Sequence, residues 1–247
     1  MRIQNLTQNK AKEIFMKISK LLAGAAFAAT AISTQAQQLD ITVTNLTQGI
    51  YFTPILIGAH TADNSLFSTG EMASDALQMM AEGGDISGLS MMLSSDNADM
   101  VENPAEGLLA PTMSTTTMLD TTDGNNYLSL VSMMLPTNDG FVGLDSWMIP
   151  TEAGTYTMTL NAYDAGTEAN DEIINGGGAP GVAGIPAAPG GDAGTGAMGV
   201  TMNEENGYIH IHRGSLGDDD LAGGKSDLDN TVHRWLNPVA RITIVVN

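Results

Sequence analysis

Short runs in which apolar and polar residues alternate recur from Leu39 to the end of the chain, and this repetition limits the fold more than any other feature. Leu39-Asp-Ile-Thr-Val-Thr-Asn45 alternates strictly, which is the period-two pattern of a strand with one buried face. Residues 51–57, 115–119, 127–134, 141–144, 155–162, 208–212 and 241–246 repeat it, separated by Asp-Gly, Asn-Asp-Gly and Gly-rich turns. The Gln48-Gly49 turn between the first two runs predicts an opening hairpin. About eight strands without a βαβ rhythm predict an all-β fold, an antiparallel β-sandwich.

Two segments interrupt the pattern. Residues 69–95 are expected to be a helical insertion: Leu77, Met80 and Ala81 share one helix face, Gly83-Gly84 stops it, and a second short helix follows over 86–93. The methionines Met79, Met80, Met91 and Met92 are expected to fill core gaps, with an adaptable partner surface as the alternative. Residues 175–199 are a Gly/Pro/Ala stretch with no periodicity, expected as a long surface loop.

At the N-terminus, Lys17 and Lys20 precede an apolar run over 21–32 that ends in small residues, the pattern of a secretory leader. Residues 1–36 are therefore expected to be a signal peptide cleaved after Ala36, leaving 37–247 as one domain that is secreted or periplasmic. Met16 is an alternative start, with 1–15 as an extension. No later stretch approaches the roughly 20 apolar residues of a membrane span.

Without residues 1–36 the chain keeps four bases, Arg213, Lys225, Arg234 and Arg241, against 27 acids, a net charge of −23. All the acids from Asp40 to Glu205 lie in sequence that contains no lysine or arginine, so solvent, distant bases or metal must balance them. Such a charge excludes nucleic acid and anionic membranes as partners, because both are held by basic contacts. Solubility in salty surroundings explains the acidity equally well. With no cysteine, the domain has neither disulfides nor thiol chemistry.

Asp139, at the turn Asn138-Asp-Gly140, and Asp164-Ala-Gly-Thr-Glu168, just after a predicted strand, form a candidate cation loop at a sheet edge. Hard cations such as calcium take oxygen ligands, and carboxylates leaving neighbouring strand ends supply them. Asp145, Asp171 and Glu172 are possible further ligands. The alternative is a set of solvated turn acids, since Asp favours turns by bonding its own backbone. The copy Asp192-Ala-Gly-Thr195 lacks the terminal acid and warns that the tetrapeptide alone says little.

Asp139-Gly-Phe-Val-Gly143, Tyr163-Asp-Ala-Gly-Thr-Glu168 and the closing Pro238-Val-Ala-Arg-Ile-Thr-Ile-Val-Val246 together resemble the spondin N-terminal domain family. Vertebrate members carry the related strings Pro-Asp-Trp-Ile-Val-Gly and Trp-Asp-Ala-Gly-Thr-Asp and close on a Val-Ala-Arg strand. The resemblance implies a C2-like sandwich with one Ca²⁺ held at a loop end. Matched residue by residue, the ligands would be Asp139, Asp164 and Glu168, the last being Asp in the vertebrate string. It implies a structural, adhesive or matrix-interacting role without enzymatic activity, the partner being a surface or matrix protein or a glycan. Neither the cysteines nor the thrombospondin-type repeats of the multidomain members are present, so the resemblance extends to the module alone.

A different class is an exported metal-dependent hydrolase. Tyr208-Ile-His-Ile-His-Arg213 puts His210 and His212 on one face of a predicted strand, and His233 or His60 would complete a zinc site. The acidic run over 217–229 lacks the spacing and terminal Glu of an EF-hand, which leaves a solvated loop with Asp218 and Asp220 as weak calcium candidates. No G-x-S-x-G elbow supports a serine nucleophile.

Overall fold

The computed structural model describes residues 36–190, 194–201, 203, 206–220 and 222–247; all of the expected leader except Ala36 lies outside them. The strands are β1 (Gln38–Asn45), β2 (Tyr51–Phe52), β3 (Leu56–His60), β4 (Asp99–Glu102), β5 (Ser114–Asp120), β6 (Tyr127–Leu135), β7 (Gly140–Met148), β8 (Gly154–Asp164), β9 (His210–Ile211) and β10 (Ala240–Val246). Among the described residues the helices are α1 (Asp75–Gly83) and α2 (Ser87–Ser95).

Period-two alternation is obeyed where one face meets water. Along β1, Leu39, Ile41 and Val43 are fully buried while Thr42 and Thr44 point outward, and β10 buries Ile242, Ile244 and Val246 against them. The strands follow the order β4-β3-β6-β7-β8-β10-β1-β5, with β2 on β6 and β9 on β8, and all pairings between them are antiparallel. This is the expected antiparallel β-sandwich, its one sheet nearly closed on itself. Strand β8 is the corner: residues 154–160 pair with β10, whereas Asn161 to Asp164 pair with β7. That change of partner carries Asp164 away from the exposed sheet and sets it opposite Gly140.

The expected opening hairpin does not form. Strand β1 pairs with β10 and β5, while β2 and β3 both pair with β6. Pro54 lies between β2 and β3, where the chain cannot offer an N–H to a continuous ladder. Strand β4 was not expected at all.

Among the described residues two large apolar clusters hold the fold, beside a small third one around Ile174, Ile185 and Leu228. One fills the sandwich and includes Ile41, Phe52, Ile57, Leu130, Val142 and Ile244. The other lies between the helices and the opposite face of β6, joining Leu77, Met80, Leu89, Val131, Met133 and Phe141. Strand β6 is therefore covered on both faces, and it is buried from Leu128 to Leu135, with Ser129 and Ser132 satisfied inside by His60 and the Thr53 carbonyl. Helix α1 starts later than its periodicity suggested: Ser74 caps it by accepting from the Leu77 amide, and Gly84, with φ of 73°, ends it. Of the four methionines, Met80 is fully buried, but Met91 and Met92 on α2 are exposed, so core filling explains only part of them. Among the described residues no helix is long and apolar enough to cross a membrane.

Candidate metal centre

The β6–β7 turn and the loop leaving β8 meet at one end of the sheet. Asp139 is fully buried, and its Oδ2 accepts from the Thr167 amide at 2.8 Å, the Thr167 hydroxyl at 3.2 Å and the Glu168 amide at 3.2 Å. The Ala165 amide donates to the Asp139 carbonyl. Asp164 Oδ1 accepts from the Gly166 amide at 2.8 Å, and its Oδ2 accepts from Asn170 Nδ2 at 2.6 Å with His210 Nε2 at 3.8 Å. Gly166 is required twice over: its φ is 70°, and a Cβ there would sit 2.7 Å from the Tyr208 backbone.

Glu168 is also buried, but its side chain turns toward the glycine-rich loop. Its Oε2 accepts from the Gly184 amide at 3.0 Å and faces Asn138 Nδ2 at 3.4 Å. Asn138 ties the corner together by donating to Asp171 at 2.8 Å and accepting from the Glu172 amide.

Two carboxylate oxygens in this corner, Asp139 Oδ1 and Glu168 Oε1, are buried with no hydrogen-bond partner among the described residues. The electrostatics follow from that. Burial, reinforced by the neighbouring Asp164 carboxylate, pushes Asp139 up to about 8 despite its amide donors. Burial also pushes Glu168 up to about 7, with Glu82 and Asp171 adding to it against the Gly184 amide and Asn138.

An internal control lies in the copied tetrapeptide. Thr195 donates through both its amide and its hydroxyl to Asp227 Oδ1, as Thr167 does to Asp139. At Asp227 the second oxygen is used as well, by the Ile174 amide, and Ala197 adds a further donor. Burial opposes ionisation there too, but the amides outweigh it and hold Asp227 below the usual carboxylate range. The two cradles share a device and differ in one respect: Asp139 keeps an unpartnered oxygen. Asp192 itself lies outside the described residues.

Asp139 and Asp164 are thus brought together, while the Glu168 backbone joins them and its carboxylate is shared with the glycine-rich loop. Among the described residues no three His, Asp or Glu side chains already stand in metal-holding array. The two unpartnered carboxylate oxygens nevertheless suit a hard cation, which takes roughly six to eight oxygens in a flexible arrangement that carbonyls and water complete. Of the further ligands suggested by sequence, Asp171 is bound to Asn138, Asp145 is exposed on β7, and Glu172 faces away to accept from Leu216, Gly217 and Ser226. Asp218 is spent on the amides of Asp220, Lys225 and Ser226.

The histidines occupy separate surroundings. His210 lies by Asp164, His212 packs on Trp235 with ring centroids 4.9 Å apart, His233 Nδ1 accepts from the Asp229 amide, and His60 bonds Ser129 and Thr61. The residue that sequence reasoning missed is Glu82. It is fully buried at the end of α1, and its Oε2 accepts from the Gly181 amide at 2.7 Å. Its Oε1 accepts from Gln78 one turn earlier in the helix, but the partner of Oε2 arrives from the loop far along the chain, which local sequence does not mark.

A search among curated proteins returns no match. The family described as Spondin_N matches residues 42–172, more than half of the chain, a span that includes Asp139, Asp164 and Glu168. The antiparallel sandwich and this match agree, and the chain belongs to the spondin N-terminal domain family.

Proposed function

We propose that this chain is an exported, non-enzymatic calcium-binding module with a structural, adhesive or matrix-interacting role. Ca²⁺ would be held by Asp139, Asp164 and Glu168. The observation that carries this is the pair of buried, unpartnered oxygens, Asp139 Oδ1 and Glu168 Oε1, in sequence that contains no lysine or arginine to neutralise them. Leaving buried carboxylate oxygens without partners is costly, and a bound cation removes that cost. The metal supplies charge neutralisation and no bond-making chemistry. The chain's own residues do the rest: Thr167 and the Glu168 amide fix the Asp139 carboxylate, and Asn170 and the Gly166 amide fix Asp164. Family membership supports the absence of catalysis, and the leader-like residues 1–36 support export. The partner would be a surface or matrix protein or a glycan.

A melting curve in millimolar calcium against excess chelator tests this. Affinity in the range of extracellular calcium modules is roughly 10⁻⁴ to 10⁻³ M. Calcium at ten times that value stabilises the native state by about 1.4 kcal/mol. An unchanged melting temperature across this range contradicts the proposal.

A further inference from the structure

We propose that residues 176–190 form a strap whose seating on helix α1 is coupled to cation binding through Glu168. This rests on the cation reading above and concerns what that site controls. The Glu168 carboxylate faces two ways: Oε2 accepts from the Gly184 amide of the strap, while the buried Oε1 is left for the cation. A second carboxylate, Glu82 at the end of α1, accepts from the Gly181 amide. The strap therefore hangs from two buried acids, and Glu82 and Asp171 both repel Glu168. Neutralising Glu168 removes the repulsion that works against holding both acids beside the same short stretch of backbone.

The seat is built for close backbone approach. A Cβ on Gly83 would overlap the Gly178 carbonyl, and a Cβ on Gly178 would meet Pro186 at 2.8 Å and the Glu82 carbonyl at 3.0 Å. Gly184, with φ of 116°, lies against the Asn175 side chain, where no Cβ fits. Just beyond it Ile185 is fully buried in a small cluster with Ile174 and Leu228, and its amide donates to Ile173. Ala188, Pro189 and Gly190 then help line a cavity of about 480 Å³, together with Tyr51 and His233. Seating the strap adds these three residues to the groove, so the cation site sets that part of its lining.

Linkage sets the size of the effect. If the strap opens only when the cation has left, saturating calcium slows amide exchange in the strap by one plus the ratio of free calcium to its Kd, about tenfold at ten times Kd and about a hundredfold at a hundred times. The experiment is hydrogen exchange read by mass spectrometry on the full chain, with and without calcium, beside a direct calorimetric calcium titration. The expected result is strap peptides that exchange faster than β6 peptides in chelator and slow about tenfold at ten times Kd. Asp139→Asn, which touches no strap residue, should abolish that slowing. Calcium that binds in the titration while strap exchange stays unchanged, or slows only in step with β6, overturns the coupling and leaves the cation site standing. A titration with no binding removes both.

Discussion

Asp139→Asn is expected to erase the calcium-dependent rise in melting temperature and, in chelator at pH 8, to melt higher than the parent chain. The two effects have one origin. Asp139 is fully buried and carries Asp164 beside it, so keeping it ionised in the metal-free fold is costly, and burial moves its titration up to about 8. An amide removes that charge and keeps an oxygen to accept from the Thr167 and Glu168 amides. By linkage the gain at pH 8 is at most about 5 kcal/mol, and it disappears near pH 4, where the parent carboxyl is already protonated. Circular dichroism melts at the two pH values, with calcium and with chelator, read all four corners of this expectation. A variant less stable than the parent at both pH values would mean that the charge is compensated without metal.

The parent chain itself should lose stability in chelator as pH rises from about 4 to about 8. Asp139 and Glu168 both have native titrations raised above their unfolded values, to about 8 and about 7. A group raised in this way stabilises the fold fully below its unfolded value, and that contribution is lost as pH climbs through the native one. Each such group changes stability by at most about 1.4 kcal/mol per pH unit. Calcium bound as proposed would hold the same carboxylates ionised and close the window, so its stabilisation should be larger at pH 8 than at pH 5 because protons compete for the ligands. Urea denaturation at pH 5 and pH 8 measures this. A calcium increment of equal size at both pH values would count against Asp139 and Glu168 as ligands.

Much of this was legible in the sequence, for a physical reason. Strands such as β1 and β10 show one face to water, and strict alternation is what half-burial imposes. The motifs at Asp139 and Asp164 follow from short-range requirements, the αL glycine at 166 and the turn amides that a carboxylate collects. What escaped were long-range choices. Nothing local distinguishes a hairpin between β1 and β2 from the observed pairing of β1 with β10, because both bury the same face. Strand β4 is four residues long at a sheet edge, with acids at both ends, and presents no pattern to find. The bond from the Gly184 amide to Glu168 and that from the Gly181 amide to Glu82 were likewise hidden, since the partners arrive from separate parts of the chain.

The acidic field is sharpened rather than explained by the fold. Most carboxylates that the structure buries are met by backbone amides, as Asp227 and Glu172 are, and these act as pins for loops. Asp139 and Glu168 break that rule by one oxygen each. The proposed cation would account for both exceptions at once.

Isothermal titration of calcium into the metal-free chain at pH 8 tests that claim most directly. The expected result is one site per chain with Kd of roughly 10⁻⁴ to 10⁻³ M, lost in both Asp139→Asn and Asp164→Asn while the variants remain folded. Absence of binding to the parent chain, or binding that survives both substitutions, contradicts it.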